Sequence, residues 1–215
     1  MSGAPVVDPG SYIPCVTYDG ISIINFVMGS ANAATIMDLL SAIHPKAVLF
    51  LGKCGGLKKK NQVGDLIVPI AAIRAGGTSY DYLPPEVPAL PAFSLKRSVS
   101  STIRDVGLDY WSGTVFTTNR RVWEHDESFK DYLQQTRSMA MDMETATIFT
   151  VCFANEIPTG ALLLVSDQPM ISSGIKTIQS DRTVTEKYVD VHLKIGIEAL
   201  RVLRDRGQSV KHLRW

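Results

Sequence analysis

The sequence predicts an α/β fold arranged as a three-layer α/β/α sandwich, and three observations lead there. Strand-like runs rich in β-branched and aromatic residues alternate with helical patterns almost throughout. One of the runs, Ala47–Leu51, is short and wholly apolar, as expected for a strand buried on both faces of a sheet. Acidic residues stand where apolar strands run out: Asp142 and Glu144 at a strand-to-helix turn, and Asp167 after Ala161–Val165. In an open α/β sheet, the carboxyl ends of neighbouring strands face one crevice, where ligands bind.

Each element has its own local reason. Ile21–Val27 is β-branched and aromatic between Asp19-Gly20 and Gly29, and reads as a strand. Ser30 is a good N-cap for a helix to about Ile43, with Ile36, Leu39, Leu40 and Ile43 on one face. After Ala47–Leu51 and a Gly64-Asp65 turn, Leu66–Ala72 is the next strand. The proline-rich loop Leu83–Pro91 leads into a helix from about Ala92 to Val106. A strand at Gly113–Thr117 and a helix at Asp126–Gln135 follow. Ser138–Met141 leads into a helix over Glu144–Asn155, and Thr159–Val165 is a strand. In the last helix Val184, Tyr188, Val191, Ile195, Ala199 and Val202 recur at helical spacing, so it packs along one stripe.

Length and composition narrow the class. At 215 residues the chain is expected to form one domain with a substantial core. A net charge of +1 gives no electrostatic reason to expect nucleic acid or a membrane as partner, and the basic stretch Arg201–Trp215 reads as a solvated helix end and tail. Cys15, Cys54 and Cys152 have no metal-ligand spacing, so reduced thiols in a cytoplasmic protein are expected and no metal or other cofactor is implied. The first residues have neither the basic nor the apolar region of a secretory signal, and no apolar run reaches transmembrane length.

The carboxylates at the strand ends suggest one group that holds a substrate hydroxyl and another that moves a proton. Gly29-Ser30, at a helix start, offers free amides and a helix dipole to an anion, although a tight turn also explains the glycine. Arg120 and Arg121, on a loop after a strand, are alternative ligands for a phosphate, because guanidinium pairs phosphate bidentately. Trp123, just beyond them, either stacks on a flat ligand or anchors the following helix in the core.

Three sets of residues, in order, resemble the purine nucleoside phosphorylase and nucleosidase superfamily: Met28-Gly29-Ser30-Ala31-Asn32-Ala33-Ala34; Gly52–Leu57 with Gly64-Asp65; and Met143-Glu144-Thr145-Ala146 with Ser166-Asp167. The resemblance runs from about Gly20 to Arg204. The wording LGKCGGL, DYLPPEVPALP, TTNRRVWEHDE and LLLVSDQPM is similar to the AMP nucleosidase family in its short form. It implies a nucleoside phosphorylase-like fold with a mixed central sheet, and hydrolysis of AMP to adenine and ribose 5-phosphate. It also implies a homohexamer built as a trimer of dimers. Within that resemblance Asp167 is the general acid that protonates purine N7, supported by Arg182. Glu144 accepts from the ribose 2′- and 3′-hydroxyls, Met143 packs under the sugar, and Trp123 stacks on the base. The Gly52–Gly56 loop, Gly55 included, opens the crevice. Lys53 reaches a phosphate carried on the substrate, together with Arg120 or Arg121.

Two departures from the family pattern matter. Similar phosphorylases bind free phosphate through an arginine where this chain has Phe50, which favours water as the nucleophile. The family's first strand precedes Ile21, and Met1–Gly20 is expected to supply at most an edge strand around Tyr12–Tyr18. A glutamate from that element helps to position the water in related nucleosidases, and none precedes Glu86 here. Two alternatives follow: cleavage of unphosphorylated purine nucleosides by hydrolysis or phosphorolysis, and a catalytically impaired nucleotide-binding protein.

Overall fold

The computed structural model describes residues 6–7 and 13–206. The start of the expected edge strand at Tyr12 and the basic tail beyond Arg206 lie outside them. Two sheets form. A small antiparallel one joins β1 (Val6–Val7), β2 (Cys15–Tyr18) and β3 (Ile21–Ile24) in sequence order. The larger one contains β4 (Val48–Gly56), β5 (Leu66–Ala75), β6 (Trp111–Thr118), β7 (Ala140–Asp142) and β8 (Thr159–Asp167).

The larger sheet is mixed and flanked by helices on two sides, as expected, and it also closes on itself. Its order β4-β7-β6-β5-β8 closes into a barrel. β4 runs parallel to β8 along most of its length, β5 to β6 and β6 to β7, while short antiparallel ladders join β5 to β8 and β4 to β7. Two register shifts, at Cys54/Gly55 and at Pro69/Ala71, add the local twist that lets long strands curl round. The second follows from the residue itself: Pro69 has no N–H to give a ladder.

Helices cover the barrel on two sides. α1 (Ser30–Ser41) and α4 (Thr145–Ala154) pack together on one side, where Ile36, Met37, Ile148 and Phe149 join Phe50 and Leu163 in one core. α2 (Phe93–Asp105) and α5 (Ile178–Arg206) pair on the other, where Val99, Ile103, Val184 and Ile195 meet Leu162 and Leu164. Strand β8 thus feeds both cores from alternate residues, which is why it is apolar throughout. A third cluster under α3 (Glu127–Gln135) gathers Leu57, Phe116, Trp123, Leu133 and Met141.

The elements differ from expectation where glycine-rich sequence reads as loop. β4 continues to Gly56 instead of ending at Leu51, because small residues are what its crowded surroundings admit. A Cβ at Gly52 would come within 2.5 Å of the Phe50 ring, and one at Gly56 within 2.8 Å of Asn61 Cβ. The cap of α1 also shifts by one residue. Gly29, at φ 96° and ψ 152°, occupies the cap position, and Ser30 is the first helical residue. Among the described residues β3 has no ladder with β4. A cavity of about 2240 Å³ opens between them and extends to the ends of β7 and β8. Phe26 and Phe50 meet across it, with ring centroids 5.9 Å apart.

Candidate active site

Asp167 is aimed by a defect in the ladder. Along β4 and β8 the register is regular up to Cys54 opposite Val165, and then Gly55 stands opposite Asp167, so Ser166 is the extra residue of a bulge. The Ser166 hydroxyl donates to Asp167 Oδ1 at 2.6 Å and lies 3.3 Å from the Cys54 carbonyl oxygen. Gly55 leaves the space that the carboxylate uses: a Cβ there would sit 2.9 Å from Pro169 Cγ and 3.4 Å from Asp167 Oδ2. Burial raises the Asp167 carboxyl above its ordinary range. The Ser166 hydrogen bond and the Lys176 charge oppose that rise, and Glu124 and Asp181 add to it.

Glu144 lies at the cap position of α4, whose first helical residue is Thr145, one residue after the expected helix start. The amides of Gly29, at 2.6 Å, and of Met143, at 3.2 Å, donate to its two oxygens. Burial first, and the Asp142 charge second, push its carboxyl up to about 7 against the pull of those amides. Asp142, at the end of β7, is committed to the frame. It accepts from Thr117 Oγ1 at 2.6 Å, from the Thr145 amide at 2.8 Å and from the Thr145 hydroxyl. Its carboxyl is also raised by burial, against those same bonds. Burial pushes the Cys54 thiol well up, and the Asp142 and Asp167 charges add to that rise.

The cavity brings together Asp167, Glu144, Met143, Gly55, Lys53 and Trp123, six of the residues singled out in the sequence. Arg120 lines it as well, but its guanidinium pairs with Asp126 at 2.6 Å and lies 4.8 Å from the centre of the Phe129 ring. Lys53 is held too: its ammonium donates to Asp181 Oδ1 at 2.9 Å and to Thr185 Oγ1 at 2.8 Å. Arg121 is exposed, and donates to Met28 Sδ at 3.1 Å. Trp123 is 6% exposed and packs edge-on to Phe129, so it serves the core while it lines the cavity.

Four expected residues lie outside the cavity lining, Arg121 among them. The Ser30 hydroxyl is turned inward, donating to the Met143 carbonyl at 2.7 Å and accepting from Thr147 at 2.8 Å, so it ties α1 to the start of α4. Gly29 offers its N–H to Glu144 and no surface to the cavity. Arg182 is exposed on α5 and outside the cavity wall. Asp181 faces the wall, and the next helical residue is turned about 100° away from it. What the sequence reading missed is Asp181 itself and Lys176, which pairs with it at 3.1 Å and also lines the cavity. Only an acidic residue in the first turn of a long helix hinted at the former. Among the described residues no group of three or more His, Cys, Asp or Glu converges as a metal set, and no helix is long and apolar enough to cross a membrane.

Comparison with known proteins agrees with this architecture. The profile of the phosphorylase superfamily matches residues 10–201. The AMP nucleosidase of Escherichia coli K12 is 32% identical over 200 residues, which is 89% of this chain and 41% of that protein. The chain therefore spans about two-fifths of the length of that curated relative. The crystal structure of AMP nucleosidase from Bacteroides thetaiotaomicron superposes with a TM-score of 0.84 at 55% identity, over 94% of this chain and 80% of that one. Purine nucleoside phosphorylase from Toxoplasma gondii, in complex with immucillin-H, shares the fold at 21% identity, with a TM-score of 0.82 over 96% of this chain and 85% of its own.

Proposed function

The chain belongs to the phosphorylase superfamily, and on that footing we propose that it hydrolyses the N-glycosidic bond of AMP, releasing adenine and ribose 5-phosphate. The observation that carries the reading is the pair Asp167 and Glu144, two carboxyls that line one cavity, both raised by burial above the ordinary carboxylate range. Sites that need a carboxylic acid near neutral pH are built in this way.

In this reading the glycosidic bond breaks with its electron pair leaving on the purine, and Asp167 transfers its proton to N7. The sugar becomes oxocarbenium-like, and ionised Glu144 holds its hydroxyls while its charge favours the developing cation. Water adds to C1′ and releases a proton to solvent, from which Asp167 is reprotonated. Met143 packs beneath the sugar, and Trp123 borders the base. Among the expected cations Lys53 and Arg120 already pair with carboxylates, while Arg121 rests on a thioether. Arg121 is therefore our choice for the 5′-phosphate. Phe50, buried against Phe26 where phosphorylases carry an arginine, supports water over phosphate as nucleophile. The proposal takes the chain as one catalytic domain of a cytoplasmic homohexamer. Exposed Val27, Met28 and Val122 support a subunit boundary at the cavity mouth.

Release of adenine from AMP, adenosine and 5′-methylthioadenosine, each with and without inorganic phosphate, tests the proposal. Adenine and ribose 5-phosphate are expected from AMP whether or not phosphate is added. Cleavage confined to the nucleosides, or dependent on phosphate, overturns it, as does folded protein that cleaves none of the three.

A further inference from the structure

The carboxylate of Asp181 carries two ammonium groups on one oxygen: Lys53 at 2.9 Å and Lys176 at 3.1 Å from Oδ1. One negative charge between two positive ones leaves the cluster with a surplus cation. Lys53 is tied further to Thr185 Oγ1. Lys176 has a different setting, because the loop that carries it doubles back. The Gln168 amide donates to the Gly174 carbonyl at 2.9 Å, and the Gly174 amide donates to the Ile171 carbonyl at 3.0 Å. Gln168 is anchored in turn by its side-chain amide on the Asn61 carbonyl. The closure is tight: a Cβ on Gly174 would come within 2.5 Å of the Gln168 carbonyl oxygen. A loop joined between residues 168 and 174 returns Lys176 to the neighbourhood of Asp167, and both line the cavity.

We propose that Lys176, seated on Asp181 and returned by this loop closure, is the positioning residue of Asp167, the cation against which that carboxyl gives up its proton. The proposal rests on the reading of Asp167 as general acid. When the proton passes to the purine, Asp167 becomes a buried anion, and a fixed ammonium beside it lowers the cost of that charge. Lys176 thereby takes the place in the site that the sequence reading gave to Arg182, which faces outward. The charged or titratable groups that act on Asp167 are Lys176 from the approach to α5, Asp181 from its first turn and Glu124 from the loop after β6, with the Cys54 thiol of β4 coupled to it by charge.

The test follows the Asp167 carboxyl itself, by the infrared C=O band that Asp167→Asn removes, alongside the pH dependence of kcat/KM with AMP. In Lys176→Met the carboxyl titration is expected to move up by about one pH unit or more, with the pH optimum moving the same way and kcat falling. Lys176→Arg restores both. Asp181→Asn, which removes a like charge and frees the lysine, is expected to move the titration down, and it keeps the test open if Lys176→Met does not fold. A carboxyl titration unchanged in folded Lys176→Met, or moved upward in Asp181→Asn, overturns the proposal. Wild-type protein that releases no adenine sinks the proposed function instead, while the infrared titration still decides whether Lys176 governs Asp167.

Discussion

Gly29 donates its backbone N–H to Glu144 Oε1 at 2.6 Å across 115 residues of sequence, so the entry to α1 is bonded to the entry to α4. Only a residue tolerant of φ 96° turns its amide that way. The bond lowers the affinity of Glu144 for a proton, yet burial wins and the carboxyl rises to about 7.

The sign of the consequence for stability is fixed. Folded Glu144 keeps its proton to about pH 7, whereas in the unfolded chain it is lost near the ordinary glutamate value of 4.5. Between these values the unfolded state binds fewer protons, so this group's contribution to stability is whole below the lower value. It is lost as pH rises, by about 3 kcal/mol in total. Glu144→Gln removes the dependence. Urea midpoints for wild type and Glu144→Gln, compared from pH 4.5 to 8, are expected to diverge in favour of the variant as pH rises. A difference flat across that window rules out burial as the cause.

A methyl group at position 55 enters the bulge that aims Asp167. Gly55→Ala is expected to reduce kcat/KM for AMP about a hundredfold, the scale that an ångström of misplacement costs. Its thermal midpoint changes by only a few degrees, because the nearest obstacle is the rim of the Pro169 ring. Activity equal to wild type would show that the carboxylate does not need that space.

The parts of this site that were legible in the sequence are those written in contiguous residues at element ends. Met143-Glu144 and Ser166-Asp167 each combine a strand end with a polar residue, and the fold delivers both to one cavity. What stayed hidden depends on long-range geometry. Lys53 meets Asp181 from 128 residues away, and nothing near either residue announces the pair. Arg182 and Asp181 differ by one step of helix phase, which decides which of them faces the cavity and is invisible until the start of α5 is known. The closure of the sheet is hidden for a related reason. Glycines 52, 55 and 56 carry no strand propensity, so the half of β4 that meets β7 reads as loop.

Arg74 is a second case of hidden geometry, and it yields a stability prediction. It is 6% exposed at the end of β5, and its guanidinium donates to the carbonyls of Ser79, Leu83, Pro84 and Val87 and to the Ser79 hydroxyl. The proline-rich loop is thus folded around one cation. Arg74→Met leaves those carbonyls without donors and is expected to cost about 3 kcal/mol. For a chain of this size that lowers the thermal midpoint by about 6–12 °C. Arg74→Lys recovers little of it, since an ammonium has neither the planar fork nor the five donors. A lysine variant as stable as wild type would show that charge alone orders the loop.

Asp167→Asn separates chemistry from binding. The amide nearly matches the carboxyl in shape and accepts the Ser166 hydroxyl, so the bulge is retained and KM for AMP changes little. It cannot supply an acidic proton, and kcat is expected to fall by about 10²–10⁴-fold. The pH profile carries the more specific signature. In wild type the rate requires Glu144 ionised and Asp167 protonated, so kcat/KM falls on both sides of an optimum. With Asp167 replaced, only the requirement at Glu144 remains: activity rises with pH and then levels off, without the fall at high pH. Stopped assays of adenine release from pH 5 to 9 distinguish the two shapes. A variant that keeps the alkaline fall would mean that another group loses the decisive proton, and the general acid would have to be sought among the other titratable side chains of the cavity, Cys54 and Lys176 first.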